Sequence, residues 1–271
     1  MTDTPPTSTH TENGLILTEI RNRIGWITLN NVAKRNALSA ALIRDLLHAL
    51  HEFRKEKLPV VVLRAPAGSR TWSAGHDINE LPKGNRDPLG YDDPLEQALR
   101  AVQAYPGVVI AMIEGGVWGG ACDLVLNCDI VIGDRTSTFA ITPVKIGVPY
   151  NVSGISHFLT RLGLNRAKEM FFTGRPVDAH RALTWGILNH MVETEVLETF
   201  TESFAVDTSK NSILAITAVK EQFRILDNAR PISGETFERI QGLRRRVYDS
   251  HDYKEGLAAF LEKRAPQFTG E

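Results

Sequence analysis

Cysteine is almost missing from this chain: Cys122 and Cys128 are the only two in 271 residues. Two thiols set in apolar sequence make no disulfide framework, so a reducing compartment is expected, the cytoplasm, with both residues acting as small buried hydrophobes. They would make a metal site only if His or carboxylate ligands joined them. A charge of one sign is lacking too. The formal net charge is −1 with 23% charged residues, which leaves no electrostatic footprint for nucleic acid or an anionic membrane. No apolar run approaches the length of a membrane span, and the first fourteen residues, polar and rich in Thr and Pro, are unlike a signal peptide. Residues 1–14 are expected to be a disordered tail.

What is present is a chain long enough for a sizeable core, with 42% hydrophobic residues. Two stretches share one design. The first runs from Val60-Val61-Val62-Leu63-Arg64 through a turn-rich segment to Ser73-Ala74-Gly75-His76-Asp77-Ile78. The second runs from Val108-Val109-Ile110-Ala111-Met112-Ile113 to Gly115-Gly116-Val117-Trp118-Gly119-Gly120. A β-branched run suits a buried strand, and the small residues after it let the backbone approach a ligand closely. Two such strand-to-helix junctions can aim two free N–H groups at one developing negative charge, as an oxyanion hole requires.

The surrounding pattern reads as α/β. Leu15 to Glu19 and Ile24 to Asn30 read as paired strands about an Arg21-Asn22-Arg23 turn. Ser39 caps a helix to about Lys55 whose Leu42, Leu46, Leu47 and Leu50 share a face. Strands at 60–64, 108–114 and 130–133 alternate with helices at 93–105 and from Gly120, which demands crossover connections and a largely parallel sheet. Beyond Leu162 the chain reads as helices with one short strand at 189–192. Their apolar faces need a partner surface, and a second copy would supply one.

The set Asn36-Ala37-Leu38-Ser39, Ser73-Ala74-Gly75-His76-Asp77-Ile78, Gly119-Gly120, Cys128-Asp129-Ile130 and Thr173-Gly174-Arg175 resembles the crotonase (enoyl-CoA hydratase/isomerase) superfamily. The resemblance implies a crotonase-like ββα-repeat core over residues 15–195 with a carboxyl-terminal helical oligomerisation region over 196–271. It also implies an acyl-CoA substrate and an enolate held by the backbone N–H groups of His76 and Gly120. Hydratases of this superfamily position water with two glutamates. Here the first position holds Asp123, shorter by a methylene and kept as an auxiliary candidate, and the second falls on Pro143, which has no side-chain proton to exchange.

Further segments, Arg86-Asp87-Pro88, Tyr91-Asp92-Asp93-Pro94, Thr142 to Asn151, Phe237 to Gly242 and Phe260 to Arg264, resemble the branch of that superfamily that decarboxylates malonyl-type thioesters. That resemblance gives Tyr150 a neutral hydroxyl for the departing carboxylate, among apolar neighbours such as Trp118, Val148 and Pro149. It assigns Ala74, Gly75, His76, Asp77, Ile78, Gly120 and Thr142 to substrate binding. Lys263 is assigned to the CoA phosphates, from its own or a neighbouring subunit, with Lys34 and Arg35 as weaker candidates. No cofactor is expected, since coenzyme A enters as part of the substrate. No metal is expected either, because His76, Asp77 and Glu80 match no standard ligand spacing. The expected assembly is a homotrimer or a hexamer built as a dimer of trimers. The alternatives are a hydratase or isomerase of the same superfamily, and a non-catalytic binding protein on the same scaffold.

Overall fold

A computed structural model describes residues 7–10, 14–81, 90–227, 229 and 232–271. The Arg86-Asp87-Pro88 stretch and most of the expected tail lie outside them. The chain opens with β1 (Thr7–His10), β2 (Ile16–Arg21), β3 (Ile24–Leu29), α1 (Ala40–Lys55), β4 (Val60–Arg64) and β5 (Thr71–Ser73). It continues through α2 (Pro94–Gln103), β6 (Val108–Ile113), β7 (Gly116–Trp118), α3 (Gly120–Leu126), β8 (Ile130–Asp134) and β9 (Thr138–Ala140). The remainder is α4 (Val152–Leu162), α5 (Leu164–Thr173), β10 (Val177–Asp178), α6 (Ala179–Trp185), β11 (His190–Val192), α7 (Leu197–Ser209), α8 (Ile213–Asp227), α9 (Gly234–Tyr248) and α10 (His251–Leu261).

A seven-stranded sheet of order β1-β2-β3-β4-β6-β8-β11 forms the centre. Its first three strands pair antiparallel and the rest parallel. β3 and β6 are fully buried and β4 is buried up to its half-buried end at Arg64; β4 and β6 are the β-branched runs of the sequence, apolar because both faces are covered. On one face α1 packs with Leu42, Ile43, Leu46 and Phe53, each worth about 1.5–3 kcal/mol when fully buried. Ser39 starts α1 as expected, its Oγ accepting from Leu42 N at 3.3 Å. On the other face Trp26, Val60, Val62 and Ile110 meet Leu197 and Ala205 of α7. Thus α7, at the head of the helical region, covers the sheet. At the opposite edge β1 extends the sheet where composition alone suggests a tail.

A second sheet, of order β10-β9-β7-β5, was not legible in the sequence. Its strands span only two or three residues, too few for an alternating pattern to register. It decides the site, because both glycine turns follow this small sheet rather than the long strands. After β4 the chain enters β5, and after β6 it enters β7. Since β4 pairs with β6 and β5 with β7, both in parallel, the two exits emerge side by side.

Candidate active site

The first exit is Ala74-Gly75-His76, braced by the segment before α1. Ala74 N donates to Arg35 O at 2.9 Å and Leu38 N to Gly75 O at 2.8 Å. Ser73 Oγ donates to Asn36 O at 2.7 Å, and the Asn36 amide answers Trp72 O at 3.0 Å. The second exit is Gly119-Gly120, where Gly119 adopts φ +54 and Gly120 opens α3. Gly119 N donates to Ala140 O at 2.8 Å.

These exits touch. Gly75 has φ +82, and a β-carbon there would meet Trp118 O at 2.3 Å and Gly120 N at 3.0 Å. A β-carbon on Gly120 would stand 3.6 Å from His76 N. Only glycine permits this approach. Among the described residues neither the His76 nor the Gly120 amide donates to a backbone carbonyl, and Gly120, first in its helix, has no intrahelical acceptor.

Both turns line one small cavity, about 70 Å³, together with Ala74, Ile78, Thr142 and Tyr150. Leu81, Leu95, Pro143, Ile146 and Val148 complete its apolar wall. Of the apolar neighbours expected around Tyr150, Val148 lines the cavity. Trp118 instead turns its ring onto Gly116, and Pro149 offers its carbonyl to the Tyr248 hydroxyl at 3.2 Å. Asp77 caps the short turn after His76 through Asn79 N, at 3.0 Å, and does not line the cavity. Lys263 sits just beyond α10, exposed and lining neither this cavity nor the larger groove described below. Lys34 faces Asp77 at 4.0 Å.

The polar side chains on the cavity are His76, Thr142 and Tyr150. Burial works against charge on His76, but Asp93, its Oδ2 3.7 Å from Nε2, outweighs that and raises the pKa above the ordinary imidazole value. For Tyr150, burial and then the neighbouring Asp123 hold the hydroxyl well above the usual phenol range. The ring is fixed edge-on between Phe158 and Phe171.

Asp123 does not line the cavity. Its buried carboxylate lies near Tyr150, on the side away from the cavity. His157 Nδ1 and Asn127 Nδ2 also reach Asp123 Oδ1, at 2.8 and 2.9 Å. Next to them Glu96 accepts from the Asn151 amide at 2.5 Å and from Ser153. Burial raises the Glu96 pKa. This polar layer separates the cavity from a groove of about 1560 Å³ between α4 and α8. Sequence reading missed His157 because α4 was not foreseen, and missed Glu96, on the foreseen α2, because its partner Asn151 lies 55 positions away. Seven residues from Tyr150 to His157 is a meaningful spacing only once a helix joins them.

Both cysteines are buried. Burial pushes the Cys128 thiol up to about 12 and raises Cys122 as well. Among the described residues no three His, Cys, Asp or Glu side chains gather as metal ligands, and no helix is long and apolar enough to cross a membrane.

The sequence profile of the enoyl-CoA hydratase/isomerase family matches residues 19–271. The chain is 50% identical, over 92% of its length and 95% of the relative's, to the methylmalonyl-CoA decarboxylase of Escherichia coli strain K12. Its fold matches a solved methylmalonyl-CoA decarboxylase in complex with 2-nitronate-propionyl-CoA at TM-score 0.93 and 48% identity, covering 95% of this chain and 99% of that one. A structure of methylmalonyl-CoA decarboxylase with 2S-carboxypropyl-CoA matches at TM-score 0.93 and 48% identity, covering 95% and 98%.

Proposed function

Because the chain belongs to the enoyl-CoA hydratase/isomerase family, we propose that it is a carboxy-lyase that converts methylmalonyl-CoA to propanoyl-CoA and carbon dioxide. One observation carries this reading. A single cavity joins the two turn amides, His76 and Tyr150, while Pro143 occupies the second glutamate position of a hydratase and Asp123 stands behind Tyr150. A water held between two carboxylates has no place there, which disfavours hydration.

The chemistry follows from the parts. The bond between the α-carbon and the carboxylate breaks, and its electron pair moves into the thioester to give an enolate. The His76 and Gly120 amides oppose the charge on the enolate oxygen, each such donor being worth about a hundredfold in rate. Overlap requires the carboxylate to stand across the thioester plane, and Tyr150 on the opposite wall sets that direction. The enolate then takes one proton at carbon, since loss of carbon dioxide from a carboxylate consumes one. His76 is the imidazole on the cavity, its pKa raised above the ordinary value with Asp93 beside it, and its imidazolium is the proton source. Ala74, Gly75, Ile78 and Thr142 contact the thioester arm.

Each step uses only protein groups and the thioester, so the reading needs no cofactor. Lys263 serves the CoA phosphates from a neighbouring subunit. Exposed Leu214, Phe223 and Leu226 on α8 support association through the 196–271 region into a homotrimer or hexamer, with the core at 15–195 carrying the chemistry. Two unpaired buried thiols support a cytoplasmic setting. Incubation with methylmalonyl-CoA should release carbon dioxide and propanoyl-CoA, while crotonyl-CoA is left unhydrated. The reverse pattern would replace this reading with a hydratase.

A further inference from the structure

Resting on the decarboxylase reading, we propose that Leu95 is a specificity-determining residue. It seats the group carried on the α-carbon of the thioester and limits that group to a methyl.

The placement follows from the two amides. A thioester oxygen held on His76 N and Gly120 N confines its α-carbon, two bonds away, to the space beside them. Leu95 closes that space. It lines the cavity, and its Cδ2 lies 2.7 Å from the place a β-carbon on Gly120 would take, nearer than His76 N at 3.6 Å. The carboxylate stands across the thioester plane toward Tyr150, so the next substituent of a tetrahedral α-carbon is turned away from it. Leu95 is the apolar wall it meets at the amides.

Size selects a methyl. One buried water needs about 10–15 Å³, so a cavity of about 70 Å³ takes roughly five to seven groups of that size. The carbonyl pair, α-carbon, methyl and carboxylate of a methylmalonyl thioester reach the upper end of that range. One further methylene has to displace a wall.

Leu95 is the wall that gives least. It is 2% exposed and packs in the main core cluster. It stands in the first turn of α2, where Asp93 Oδ1 accepts from its amide at 2.8 Å and Asp93 N in turn donates to Gly90 O at 3.0 Å. The next residue, Glu96, is tied to Asn151 and Ser153. Across the cavity Pro143, Ile146 and Val148 belong to a loop, which yields more readily than a helix packed in the core.

The test measures kcat/KM of the full chain for malonyl-CoA, methylmalonyl-CoA and ethylmalonyl-CoA. One methylene in an apolar pocket is worth about tenfold or more, so the unaltered protein should favour methylmalonyl-CoA over both neighbours by about that factor. Leu95→Ala should raise the ethylmalonyl to methylmalonyl ratio about tenfold. Leu95→Val should act in the same direction at smaller size and serves where the alanine variant does not fold. Leu95→Phe should turn selectivity the other way, toward malonyl-CoA. A merely structural role lowers all three rates together and leaves their ratios still. Ratios unmoved by the Leu95 substitutions, or moved as far by Val148→Ala on the facing wall, would overturn the proposal. An unaltered protein that decarboxylates none of the three would instead sink the decarboxylase reading. The relative affinities for acetyl-CoA, propanoyl-CoA and butanoyl-CoA, which carry the matching acyl groups, would still decide whether Leu95 sets the limit.

Discussion

The two sides of the cavity are built on different plans. The amide side is main chain: two turns at the ends of parallel neighbours β5 and β7, braced by backbone hydrogen bonds and by Asn36 and Ser73. The opposite side, residues 142–150, is a loop held from outside by the carboxyl-terminal helices. Tyr248 of α9 donates to Pro149 O, and Gly256 of α10 lies so close that a β-carbon would meet Ile146 O at 2.2 Å. Sheet pairing therefore sets where the two turn amides converge, whereas helix docking sets what stands across from them. The first is local to the core, and the second depends on residues a hundred positions away.

The largest expected effect strikes the amide side. Gly75→Ala forces a left-handed residue to carry a β-carbon into Trp118 O, parting the two turns. We expect kcat/KM for decarboxylation to fall by about a hundredfold or more, measured by steady-state release of propanoyl-CoA. A near-normal rate would mean that the turns do not act as a pair. Gly256→Ala should be milder, because it displaces the loop and leaves the amides intact. A loss of about tenfold in kcat/KM is expected, with propanoyl-CoA binding nearly kept, and an effect as large as that of Gly75→Ala would erase the distinction between the two sides.

A pH profile probes the side chain that projects from the amide side. The His76 pKa is raised, so its proton is fully present below the ordinary imidazole value near ~6.5 and is lost as pH rises through the higher folded value. Turnover should accordingly decline on the alkaline side. Asp93→Asn should shift that decline toward acid and lower the rate at neutral pH. A profile that does not move would detach Asp93 from proton delivery. Smallest of all, Tyr248→Phe removes one hydrogen bond from the loop side, about 1 kcal/mol. It should lower the melting temperature slightly and kcat/KM by about two- to threefold.

Much of the amide side was legible in the sequence, because Val60 to Arg64 and Val108 to Ile113 are long enough to register as buried strands and each is followed by turn-forming glycines. Ser39 likewise announced α1, whose cap is local chemistry. The small sheet escaped, since Thr71 to Ser73 and Gly116 to Trp118 carry no periodicity of their own and pair only once the larger sheet has brought them together. The loop side was legible in part. Tyr150 and Thr142 came from resemblance, and Val148 from its apolar character. The contact between Asp123 and His157 joins residues 34 positions apart, and no spacing rule connects a carboxylate on one helix with an imidazole on another.

Gly75 leaning on Trp118 has a consequence beyond this reaction. Because the groups proposed to face the enolate oxygen belong to the polypeptide backbone, residue 76 can exchange its side chain without surrendering its amide. The electrical task is thereby separated from the chemical one. A descendant of this scaffold would acquire a new thioester reaction by rewriting the facing loop and the helices that carry it, while the electrophilic seat stays as it is.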